Sequence, residues 1–133
     1  MKIALDTNVV VSAVATRGLC ADLIQLILLE HELIVGETVL AELQDVLTRK
    51  LKLPKTMIAE VESFLRRRAI VIAAADRRPV RDLDAADAAV LAEAMAASAD
   101  VLVTGDGGLL RRPRSPIRVV SPRGLWDLLR GAT

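Results

Sequence analysis

Four acidic residues, Asp6, Glu42, Asp87 and Asp106, stand at points along the chain where a carboxylate can do chemistry. Asp6 closes the apolar run Lys2-Ile3-Ala4-Leu5, which reads as a buried strand, and Thr7 and Asn8 follow it before the apolar residues resume at Val9-Val10. In open α/β sheets ligands bind beyond the carboxyl ends of the strands, so Asp6 belongs on the rim where sites form. Asp106 repeats the arrangement in Val103-Thr104-Gly105-Asp106. Glu42 lies in Leu40-Ala41-Glu42-Leu43, flanked by residues of a helix's apolar face, so it is either at the edge of that stripe or turned inward. Asp87 falls in the first turn of an alanine-rich helix, and Asp84, three residues earlier, is the better cap. Plainer readings exist for each. Asp6-Thr7-Asn8 can be a turn and an N-cap, and Asp84 and Asp87 can simply complement a helix dipole.

Four converging acids repel one another unless a cation holds them together. One His (His31) and one Cys (Cys20) supply no zinc ligand set. Oxygen-only ligation suits Mg²⁺ or Mn²⁺, hard ions that keep waters for chemistry, and such sites activate water for displacement at a phosphate. The Gly105-Asp106-Gly107-Gly108 turn hints at a phosphate cradle but lacks the GxGxxG spacing and the P-loop lysine. An early strand-end Asp can also accept a phosphoryl group in a receiver or phosphatase-like domain. That chemistry wants a lysine near a later strand, and none of Lys2, Lys50, Lys52 or Lys55 is placed there.

The elements that must position these acids alternate in type. After the opening strand, Leu19–Glu30 has helical spacing at Leu19, Leu23, Leu26, Ile27 and Leu29, and Glu32–Gly36 is a short strand. Thr38–Lys50 is an amphipathic helix. Pro54 starts another over Lys55–Arg68, periodic at Met57, Ile58, Val61 and Leu65. Ala69–Ala73 is β-rich and leads to a loop at Asp76–Pro79. Asp84–Ala97 is a helix, Asp100–Thr104 a strand broken by the glycine turn, Arg118–Val120 a last strand and Pro122–Arg130 a closing helix with Trp126. Repeated βα units predict a parallel sheet with helices on both faces.

A chain of 133 residues is expected to form one domain, 1–133. Hydrophobic residues make up 53% with one Phe, one Trp and no Tyr, so the core must be packed with Leu, Val, Ile and Ala. A net charge of +1 leaves nucleic-acid binding to local arginines. Three clusters qualify: Arg66-Arg67-Arg68, for which a solvated helix face is the plainer reading, Arg77-Arg78 with Arg81, and Arg111-Arg112 with Arg114, which follows the Asp106 turn and is the best RNA contact. The near absence of aromatics argues against base stacking, and Trp126 reads as an anchor for the last helix. The opening residues form a strand pattern rather than a signal peptide, no apolar run reaches membrane-spanning length, and one unpaired cysteine fits a reducing compartment, so the expected location is cytoplasmic with no membrane contact.

Taken in order, Leu5-Asp6-Thr7-Asn8-Val9, Glu42, Asp87 before its apolar-Leu-Ala run and Leu102-Val103-Thr104-Gly105-Asp106 resemble a PIN domain. The variety they are most similar to is the toxin component of type II toxin–antitoxin systems, akin to VapC toxins. The resemblance implies a three-layer α/β/α sandwich with a central parallel sheet. It also implies a Mg²⁺- or Mn²⁺-dependent endoribonuclease whose metal ligands and catalytic residues are Asp6, Glu42, Asp87 and Asp106. Asn8, Thr104 and Asp84 match supporting positions, and Asp87 is preferred to Asp84 as the ligand because it keeps the family's spacing to the Thr104-Gly105-Asp106 turn. The implied partners are an RNA substrate, a cognate antitoxin protein and a second copy in a homodimer. The helix pair from Leu19 to Arg49 offers apolar stripes on which an amphipathic antitoxin helix could lie. A PIN-like module that binds RNA with little or no turnover is the other form the resemblance allows.

Overall fold

The alternation of short apolar runs and amphipathic segments is realised in a computed structural model, which describes residues 1–73, 83–112 and 115–131. The elements run β1 (Lys2–Leu5), α1 (Thr7–Ala15), α2 (Leu19–Glu30), β2 (Glu32–Gly36), α3 (Glu37–Arg49), α4 (Lys55–Arg68), β3 (Ile70–Ile72), α5 (Ala85–Ala96), β4 (Val101–Val103), α6 (Gly107–Leu110), β5 (Arg118–Val120) and α7 (Pro122–Leu129). The strands form one five-stranded sheet in the order β3-β2-β1-β4-β5, every neighbouring pair parallel. Helices cover it, giving the expected α/β/α sandwich. β1 continues leftward through β2 to β3, whereas β4 and β5 lie on its other side, so the direction of winding reverses between β1 and β4. In sheets of this kind the crevice at that reversal is where ligands bind.

Both faces of the central strands are covered, which is why their sequences are continuously apolar rather than alternating. Ile3, Leu5, Leu33, Ile34, Val35, Val101, Leu102 and Val103 are all buried. At the edge strands Ile70 and Arg118 are exposed. Parallel register pairs Leu5 with Val103, and the Asp6 N–H donates to the Val103 carbonyl at 2.9 Å, which aligns the ends of β1 and β4.

The sequence pattern differs from the structure at several points. The apolar return after Asn8 is helix α1, although its run of valines has poor helix propensity; burial of Val9 and Val10 and the cap supplied by Asp6 decide the outcome. The glycine turn holds a short helix, α6, started by Asp106, whose Oδ1 accepts from the Gly108 N–H at 2.9 Å. Leu29 and Met57 continue the apolar periodicity of their helices but are 81% and 45% exposed, so the buried stripes are narrower than the spacing suggested. The loop expected at Asp76–Pro79 lies outside the described residues, as do Arg77, Arg78, Arg81, Asp82 and Arg114. Among the described residues no single helix is long and apolar enough to cross a membrane.

Candidate active site

Asp6 is 5% exposed at the carboxyl end of β1, beside the reversal of the sheet. The strand-end and helix-cap readings of this residue both hold. Its Oδ1 accepts from the Thr7 N–H at 2.7 Å as the cap of α1, and its Oδ2 accepts from the Thr104 hydroxyl at 2.7 Å and the Asn8 amide at 3.2 Å. Thr104, fully buried at the end of β4, is the hub of the network, because its oxygen also accepts from Asn8 Nδ2 at 3.3 Å and from the Asp106 N–H at 3.0 Å. Asn8 in turn accepts from the Gly105 N–H at 2.8 Å through Oδ1. One carboxylate, one hydroxyl and one amide thereby lock the first turn of α1 to the turn that carries Asp106. Asn8 and Thr104 hydrogen-bond the Asp6 carboxylate directly, whereas Asp84 accepts from a backbone N–H.

The other acids gather around this pair. Glu42 is turned to the site from α3, and its Oε1 accepts from the Thr7 hydroxyl at 3.1 Å. Burial raises the Glu42 carboxyl above the usual range, the Thr7 hydroxyl opposes that, and the charges of Asp6, Asp84 and Glu93 add to it. Asp84 is the cap of α5, its Oδ1 accepting from the Asp87 N–H at 2.7 Å. Asp87, one turn further in, is pushed up to about 6, first by burial and then by the charges of Asp84, Asp106 and Asp6. The acids therefore sense one another's charge across β1, α3, α5 and the β4–α6 turn. Among the described residues no three of them close on a common point as metal ligands do. Asp87 and Asp106 nevertheless approach within hydrogen-bonding reach of each other, a contact that also raises the Asp87 carboxyl.

Asp87 makes a stability prediction. Its carboxyl rises from 3.8 in the unfolded chain to about 6, so its contribution is fully present below the lower value and is lost as the pH climbs through the upper one. Melting of the chelator-treated protein is expected to show Asp87→Asn gaining on the wild type between about pH 4 and about pH 7. A difference between the two proteins that stays constant over that window would show that the Asp87 carboxyl is not raised.

One cation lies beside the Asp106 turn. Arg111 ends α6, and its guanidinium folds back over Gly107, the residue after Asp106, where an added Cβ would lie 2.7 Å from Nη1. Arg112 follows it, partly buried. Arg66, by contrast, is committed to a two-pronged bond with Glu37 at 2.8 and 3.0 Å and a third contact to Glu62, in line with a solvated helix face rather than a phosphate site. A groove of about 700 Å³ lies between α3 and α4, lined by Gln44, Thr48, Lys55, Ile58, Glu62 and Arg67. None of Asp6, Glu42, Asp87 and Asp106 lines it.

One buried acid was not anticipated. Glu93 of α5 is 1% exposed, and both its carboxylate oxygens accept from the Thr38 N–H, at 3.0 and 3.2 Å. A lone acid in the otherwise uncharged stretch Ala88–Ala99 was the available signal.

A parallel sheet wound outward from its middle, with acids collected where the winding reverses, defines an α/β protein with a carboxylate site at the switch point. The chain belongs to the PIN domain family, whose model matches residues 2–107. Members of this family are generally nucleases, and that membership removes the phosphoryl-acceptor alternative. Two solved structures share the fold. VapBC2 from Rickettsia felis, bound to a DNA fragment from its promoter, matches with a TM-score of 0.66 at 19% identity over 91% of this chain and 98% of that one. FitAcB from Neisseria gonorrhoeae matches with a TM-score of 0.58 at 17% identity over 91% and 98%. No curated protein matches the chain in sequence.

Proposed function

We propose that this protein is a Mg²⁺- or Mn²⁺-dependent endoribonuclease and the toxin of a toxin–antitoxin pair. The observation that carries the reading is Asp6, buried and oriented by Thr104, Asn8 and the Thr7 N–H, with Glu42, Asp87 and Asp106 near enough for their charges to act on one another. Such a set is hard, oxygen-only and short of positive charge, which is the chemistry a divalent cation of this type satisfies. Asp6, Glu42, Asp87 and Asp106 would hold the ion, and Asp84 sets the start of the helix that carries Asp87. When bound, it supplies an activated water and offsets the charge that builds on the phosphate.

The remaining work falls to the chain. Thr104 and Asn8 keep the Asp6 carboxylate in one orientation, so no reorganisation is needed when a substrate arrives. Thr7 does the same for Glu42. Arg111, lying over Gly107, would take a backbone phosphate of single-stranded RNA, a reading its closeness to the Asp106 turn supports. VapBC2 and FitAcB are toxin–antitoxin complexes, which supports a protein antitoxin as partner of this chain. An amphipathic segment of that partner would be held in an apolar groove, and the chain is expected to form a homodimer in the cytoplasm.

Mn²⁺ binding is expected to raise the melting temperature. One-site mass action contributes about 2.7 kcal/mol at a hundredfold excess over Kd, which is several degrees for a domain of this size. An unchanged melting temperature at saturating Mn²⁺ would speak against a metal site. Co-expression with the neighbouring reading frame, followed by light scattering of the purified product, tests the partner and the dimer together. A monodisperse monomer that neither captures that product nor slows growth when expressed alone would remove the toxin reading.

A further inference from the structure

Helix α3 brings Glu42 to the site, yet its own start is bare. Its N-cap is Gly36, which has no side chain to accept from the first N–H groups of the helix. The acceptor comes from another helix, since the Glu93 carboxylate of α5 takes the Thr38 N–H on both oxygens. A charge buried to 1% exposure is costly unless it is compensated, and the positive end of the α3 dipole is the compensation here. Gly36 makes room for it: a Cβ there would collide with Glu93 Oε1 and lie 2.9 Å from Glu93 Cβ.

The two helices joined by this contact are the two that carry Glu42 and Asp87. At a rise of about 1.5 Å per residue, Glu42 stands about 6 Å along α3 from Thr38, and Asp87 about 9 Å along α5 from Glu93. Glu42 senses the charges of Glu93 and Asp84, residues of the α5 segment, so the packing of α3 on α5 fixes the separation of acids that must share one ion. We propose that Glu93 is a positioning residue for the acid cluster, a buried strut that fixes the spacing of Glu42 and Asp87 by capping α3 from α5. The inference rests on the nuclease reading for its functional consequence, but the strut itself does not.

The test combines a distance with a binding constant. Spin labels on the exposed positions Gln44 of α3 and Met95 of α5, in a Cys20→Ser background, report the interhelix distance in the full-length, metal-free protein. The wild type is expected to give one narrow distribution, Glu93→Ala a broadened or shifted one, and Glu93→Gln, which keeps an acceptor for Thr38, a narrow one. In calorimetric titration with Mn²⁺, Glu93→Ala should bind about tenfold or more weakly, the usual cost of losing a group that orients metal ligands. Glu93→Gln should stay close to the wild type. If Glu93→Ala does not fold, Glu93→Asp, whose carboxylate is drawn back by one methylene, is read in its place. A variant with the wild-type distance distribution and wild-type Mn²⁺ affinity would overturn the proposal. A wild type that neither binds Mn²⁺ nor cleaves RNA would overturn the nuclease reading instead, and the distance measurement would still decide whether the strut exists.

Discussion

Asp6→Asn is expected to lower cleavage of single-stranded RNA by about a hundredfold to a thousandfold while leaving the protein folded, the scale seen when a preorganised electrostatic group is removed from an active site. Asparagine keeps the size of the side chain and an acceptor for the Thr7 N–H, so helix α1 retains its cap. What it loses is the charge, and with it a ligand oxygen for a cation that must offset the developing phosphate charge. Glu42→Gln, Asp87→Asn and Asp106→Asn should follow the same course. Asp84→Asn is the internal control, because asparagine caps a helix about as well as aspartate and Asp84 is engaged with the Asp87 N–H. Cleavage abolished by Asp84→Asn and untouched by Asp87→Asn would transfer the ligand role between the two. Initial rates at saturating Mn²⁺, with melting temperatures of each variant, distinguish these outcomes.

Thr104→Val should be the most damaging change that removes no charge. Valine fills the same volume, so packing at this fully buried position is preserved. It cannot donate to Asp6 or accept from Asn8 and the Asp106 N–H, and three polar groups lose a partner at once. An unsatisfied buried group costs about 1–3 kcal/mol, and partial relief by local rearrangement brings the expected loss to about 2–4 kcal/mol in denaturant unfolding. Cleavage should fall as well, by about tenfold to a hundredfold, because the Asp6 carboxylate and the Asp106 turn are no longer tied together. Thr104→Ser, which keeps the hydroxyl, should recover most of both. Equal stability of Thr104→Val and the wild type would show that the network does not hold the rim together.

What the sequence made legible follows from burial. Strands covered on both faces leave uninterrupted apolar runs such as Val101-Leu102-Val103, and the residues that end those runs mark the rim of the sheet, so Asp6 and Asp106 could be placed before any coordinates. The cap and site readings of Asp6 looked like competitors because each uses a carboxylate in the same position. They need not exclude each other, because the end of β1 is also the start of α1: one oxygen caps the helix and the other is held by Thr104. Helix α1 was hidden by its valines, whose local preference is overridden by a tertiary contact that no local pattern records. Glu93 was hidden for a different reason. Helix α5 buries Ala88, Ala89, Val90, Leu91 and Ala94, so it has no polar face against which an inward acid would stand out, and its partner Thr38 lies 55 residues away in the chain.

The central claim is that the acids at the reversal between β1 and β4 form a metal-dependent nuclease site, and cleavage of a fluorescence-quenched single-stranded RNA by the wild-type protein as Mn²⁺ is titrated tests it most directly. The account predicts no cleavage in chelator, activity that rises with Mn²⁺ to saturation, and none at any Mn²⁺ concentration for the Asp6→Asn, Asp106→Asn double variant. Cleavage that persists in chelator, or a folded wild-type protein that remains inactive across the whole titration, would contradict it.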